Sequence, residues 1–182
     1  EEGECGIKDL EPEIQLKTLY NNGLLIQEID GCDGIAMRLL PNNPGLKQQT
    51  YPEAEKDFKL SKFISIQPCI DGLDITTPLS STTLRLQDHR LYPLIQKLVS
   101  PCTTDDIRAF LPEDLRIKHQ DIIALLLSSG VIGLCNANNN AEIDQEAITA
   151  GWNRQDLSFH SHTRGYFIDL HKEELSPKTI NK

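Results

Sequence analysis

The sequence predicts an α+β protein built as two small units in tandem. Three observations carry this: a helix-period stretch followed by two short strands before residue 42, period-2 alternation from Phe63 to Leu86, and three amphipathic helices before Gly130. The boundaries expected are 1–58 for the first unit with its linker, 59–140 for the second, and 141–182 for a junction segment.

In the first unit, Pro12 to Asn21 reads as a helix, with Leu16, Leu19 and Tyr20 at spacings of three and four, and Asn22-Gly23 as its stop. Leu24-Leu25-Ile26 opens a strand, Asp30 to Gly34 is a turn cluster, and Ile35 to Leu40 is a returning strand closed by Pro41. Helix then hairpin is the pattern of a winged-helix module at its wing. Asn42 to Lys56 reads as linker.

In the second unit, Phe63 to Gln67, Leu73 to Thr77 and Thr82 to Leu86 read as strands, the first two joined by an Asp71-Gly72 turn. Asp88 caps a helix to about Val99 with Leu91, Leu94, Ile95 and Leu98 on one stripe. Thr103 or Thr104 caps a second helix that Pro112 ends, and a third runs from about Leu115 to Ser129 until Gly130 stops it. Val131 to Leu134 is a closing strand, and Asp144 to Ala150 a short helix.

Composition removes several functions. Eighteen basic against 27 acidic residues give a net charge of −9, the opposite of the basic footprint that binding to phosphate backbones needs. A winged-helix DNA-binding regulator is the least favoured reading for that reason. No apolar run approaches the roughly 18 residues of a membrane span. The start, Glu1-Glu2-Gly3-Glu4, is acidic where a secretion signal would be basic and lacks methionine, so a trimmed fragment of a cytoplasmic protein is expected. Five cysteines without a CxxC pair fit reduced thiols better than disulfides or zinc, and none is nominated as a nucleophile.

Three blocks then point in one direction: Leu16 to Pro41; Lys59 to Phe63 with Asp71-Gly72-Leu73 and Thr77-Pro78-Leu79; and Trp152 to Gly165, reading WNRQDLSFHSHTRG. Together they resemble the N-terminal half of the SagB/ThcOx-type azoline dehydrogenases, which mature thiazole- and oxazole-containing ribosomal peptides, cyanobactins among them. His162 replaces a basic residue usual there, and Thr163 a serine. The resemblance implies a nitroreductase-type FMN domain after these blocks, a homodimeric parent enzyme, and a precursor peptide as partner. That domain needs roughly 150–200 residues, more than follow Gly165. The flavin domain is therefore expected to be absent, with no catalytic residue, no metal ligand and no cofactor in this chain.

The second unit also resembles the RiPP recognition element, a winged-helix-like module to which a leader peptide adds a strand. The resemblance places the leader between Thr82–Leu86 and the third helix, with Thr83, Arg85, Lys118 and Ile122 as candidate contacts. A groove that only scaffolds the oxidase is the competing expectation. Trp152, Asp156, Phe159, His160 and Arg164 are the candidate junction to the flavin domain or subunit. A stand-alone protein that presents precursor to separate cyclase and oxidase subunits is the alternative function.

Overall fold

A computed structural model describes Leu19, residues 25–42 and residues 56–159. The expected helix over Pro12–Asn21 falls outside the described residues except for Leu19, as do most of the linker and the part of the third block from His160 onward.

Among the described residues, seven strands form two antiparallel sheets. β1 (Gln27–Gly31), β2 (Gly34–Pro41), β4 (Ser65–Cys69), β5 (Gly72–Thr76) and β6 (Thr82–Leu86) make a five-stranded sheet in the order β1-β2-β6-β5-β4. β3 (Phe58–Leu60) and β7 (Ile132–Leu134) pair separately. The α+β class stands. The sheet crosses the boundary expected between the units, because β2 pairs with β6 from Met37↔Leu86 to Pro41↔Thr82. That boundary, at residues 58 and 59, falls inside β3.

Both hairpins turn on Asp-Gly, at Asp33-Gly34 and Asp71-Gly72, with the glycine at positive φ. At Gly72 glycine is required twice over: φ is +146°, and a Cβ would overlap the carbonyl oxygen of Leu86.

The helical run after β6 is less regular than its apolar spacing suggests. Asp88 accepts from the Arg90 amide at 2.9 Å and starts a 3₁₀ turn over His89–Leu91, then α1 over Tyr92–Lys97. Pro93 lies in the first turn of α1 and has no N–H to give the preceding turn, so the expected single helix is split. Thr103 caps α2 (Thr104–Phe110) through a reciprocal capping box with Asp106, whose amide donates to Thr103 Oγ1 at 3.1 Å. A 3₁₀ turn over Glu113–Lys118 leads into α3 (His119–Ser128), and Gly130 at φ +69° ends it. A 3₁₀ turn over Glu142–Asp144 and α4 (Gln145–Thr149) follow β7.

One core joins these elements. Ile29, Met37 and Leu39 of the hairpin, Ile75, Leu84 and Leu86 of the sheet, and Leu94, Ile107, Ile122 and Leu126 of the helices lie in a single buried cluster. Burying Ile29, Met37 and Leu39 contributes about 6 kcal/mol, taking about 2 kcal/mol for each side chain. A second, smaller cluster packs Phe63, Ala147 and Leu157 with half-buried Leu79, Ile148 and Trp152.

A candidate peptide-docking surface

The four residues expected to receive a leader peptide do not form one groove. β6 is the central strand, hydrogen-bonded to β2 on one side and β5 on the other. Strand addition beside Thr82–Leu86 needs an open edge there, and β2 fills it. The reason is side-chain burial. The apolar face of β2 needs the same core that Leu84 and Leu86 face, and pairing with β6 supplies it.

Alternation along β6 separates the remaining candidates further. Leu84 and Leu86 are fully buried, so Thr83 and Arg85 stand on the opposite face of the sheet. Ile122 lies on the core side with no exposed surface and cannot offer an anchor to an incoming side chain. Lys118 reaches β1 instead, its Nζ donating to the Asp30 carbonyl at 2.8 Å.

On the outer face a cross-strand row runs Glu28, Arg38, Arg85, Asp74, Gln67. Arg38 and Arg85 are directly opposed, which by itself repels. Each is neutralised from its other side. Arg38 Nε lies 2.5 Å from Glu28, and Arg85 grips Asp74 with two bonds of 2.7 and 2.9 Å. The Arg85 bond holds the Asp74 carboxyl below its usual range and raises the arginine in turn. Thr83 shares a hydrogen bond with Asn42, whose Nδ2 donates to Thr83 Oγ1 at 3.0 Å. Both candidate residues on β6 are thus engaged by the chain itself.

A second polar cluster ties the β1–β2 turn to the helical half. Arg90 binds Asp88 at 2.6 Å and Asp114 at 3.1 Å, and its Nη2 lies 3.3 Å from Cys32 Sγ. The Cys32 amide donates to Asp114 at 3.1 Å. Arg90 keeps both carboxyls low. Hydrogen bonding to Asp33, then desolvation and Asp114, push the Cys32 thiol up against the pull of Arg90, which favours the less nucleophilic form. The cluster works as a clasp, and no reaction is assigned to it.

The described part of the third block docks on the chain's own small cluster. Trp152 packs with Phe63, Ala147 and Leu157, and Asn153 caps a helical segment over 154–159 by accepting from the amides of Gln155 and Asp156 at 2.8 and 3.0 Å. Asp156 is exposed and completes that cap through the Asn153 amide at 3.4 Å. Phe159 is 69% exposed. His160 and Arg164 lie outside the described residues.

Some residues that organise the surface were not singled out in the sequence. Asp144, 2% exposed, accepts from Ser61 Oγ at 2.6 Å and the Lys62 amide at 2.9 Å, joining segments more than 80 residues apart. Only Asn153 had a local signal, an asparagine followed three residues later by aspartate. Asp144 acts through distant partners, as Arg90 does towards Asp114 and Cys32 beyond its neighbour Asp88, and those long-range contacts had none.

Among the described residues no group of three His, Cys, Asp or Glu could hold a metal ion, and no helix is long and apolar enough to cross a membrane. Among the described residues, the glycines with positive φ (Gly34, Gly72, Gly130, Gly151) sit singly at separate turns. No family model matches the chain, and no curated protein matches it.

Proposed function

We propose that this chain is the non-catalytic front end of an FMN-dependent azoline dehydrogenase, a scaffolding and peptide-handling region beside a nitroreductase-type flavin domain or subunit. The observation that carries the reading is the order of elements: a three-strand meander β4–β5–β6 and then helices α1, α2 and α3 on one face of the sheet. That is the order of a recognition-element-like, winged-helix-like unit. In this reading β1–β2 is the wing of the preceding unit, seated in the groove of the second.

Occupation of β6 favours scaffolding over peptide capture at that strand. A leader bound at 1 μM gains about 8 kcal/mol in total. Most of that would be spent unseating Ile29, Met37 and Leu39 before any new contact formed.

The test is made on the native gene product that contains this chain. Its mass separates a fused enzyme from a stand-alone peptide binder. Removing residues 1–182 should leave FMN bound while kcat/KM for converting a thiazoline peptide to the thiazole falls about tenfold or more. Full turnover without the region, or a native product with neither flavin nor a flavin-bearing partner, would overturn the proposal.

A further inference from the structure

With β6 enclosed, the five-stranded sheet has two outer strands among the described residues, β4 and β1. Backbone direction tells them apart. Ala36 is the extra residue of a bulge against β1, so the count starts at the other end of β2: the Asn42 amide donates to the Ser81 carbonyl at 2.8 Å, and Asn42, Leu40 and Arg38 face β6. Peptide groups of successive strand residues point to alternate sides. Met37 and Leu39 therefore face β1 and pair with Ile29 and Gln27. Glu28, between those two, turns its N–H and C=O outward. The same counting through β6 and β5 leaves Ile66 and Pro68 facing outward on β4. Proline has no N–H, so the free side of β4 is blunted in its middle.

The outer side of β1 has different surroundings. It runs beside the 3₁₀ turn over Glu113–Lys118 and α3. Lys118 satisfies the Asp30 carbonyl at one end, and among the described residues no strand pairs with the outer side of the Ile26–Glu28 half. Ile26 is 57% exposed and Ile117 86%, one near each end of the strand. The buried Gln27 Nε2 has no hydrogen-bond partner among the described residues. Asp30 and Asp33 are exposed along the same stretch, beside Glu28, which pairs with Arg38, on a chain of net charge −9.

We propose that the outer side of β1 is a strand-addition edge whose occupant is an extended, basic peptide segment of another molecule. Its backbone pairs with Ile26–Glu28, its apolar side chains meet Ile26 and Ile117, and its cations face the carboxylates. The assignment rests on the peptide-handling reading above, and it moves the docking site from β6 to β1.

The test uses the whole chain and a synthetic acetylated decapeptide alternating lysine and valine, with its glutamate–valine counterpart as control. The basic peptide should slow amide exchange at Glu28 and leave Ile66 unchanged, while the acidic peptide does neither. Glu28→Pro, which removes the outward N–H, should weaken binding about fivefold or more, and Glu28→Ala, which keeps it, should weaken it less. If Glu28→Pro does not fold, Ile117→Lys decides: it should weaken the basic peptide to a similar extent. Binding that protects Ile66, or that neither Glu28→Pro nor Ile117→Lys weakens, overturns the edge while leaving the peptide-handling reading in place. A Glu28 amide already protected in the free chain overturns the edge as well, because the chain would then be covering it. Failure of both peptides to bind at millimolar concentration overturns the edge and the peptide-handling reading together.

Discussion

Met37→Ala tests whether the hairpin and the helical half share one cooperative core. Met37 has no exposed surface, sits across from Leu86 on β2–β6 and from Ile29 on β1–β2, and belongs to the main buried cluster. Truncating a buried methionine costs 2–5 kcal/mol, and this site, closed in from both neighbouring strands, should cost about 3 kcal/mol. For a folded body of this size, each kcal/mol moves Tm by about 3–4 °C, so a fall of roughly 10 °C is expected. The assay is thermal and urea unfolding followed by far-UV circular dichroism and by the fluorescence of Trp152, which sits in the separate small cluster. Both signals should shift together. Ile70→Ser, at a fully exposed hairpin tip, is the control and should change stability by no more than about 0.5 kcal/mol. An early partial transition that leaves the Trp152 signal in place would refute the reasoning, since it would make the hairpin an independent unit.

Three further outcomes are expected. Arg85→Ala should cost about 0.5–1 kcal/mol at pH 7, the scale of a partly buried bidentate pair near the surface. Because Asp74 is held low when folded, its contribution is present above about pH 4 and lost as pH falls through the folded value; the wild type should therefore lose more stability than the variant between about pH 5 and 3, and equal losses in acid urea titrations would contradict this. Asp144→Ala should cost about 2–3 kcal/mol by urea unfolding, since Ser61 Oγ and the Lys62 amide lose their acceptor inside the protein; a loss below about 0.5 kcal/mol would show that they find another. Trp152→Ala should cost about 2 kcal/mol, less than a fully buried tryptophan, and an unchanged midpoint by circular dichroism would remove its packing role.

The sequence by itself determined the inward face of β6 and several element ends, though not the face of β4, where Ile66 is exposed. Period-2 alternation put Leu84 and Leu86 on the buried side of β6, and Thr103, Asp88 and Gly130 marked helix ends, because these signals act within a few residues. The irregular 3₁₀ starts were legible only in part, through Pro93 and Pro112. Tertiary structure alone decided the neighbours. Alternation tells which face of a strand is buried but is the same for an edge strand and a central one, so nothing near Thr82–Leu86 announced that β2, more than 40 residues earlier, would lie beside it. The same holds for Arg90 with Cys32 and Asp114, and for Asp144 with Ser61: each pair is made by chain reversal over tens of residues, and its energy exists only once the core has brought the ends together.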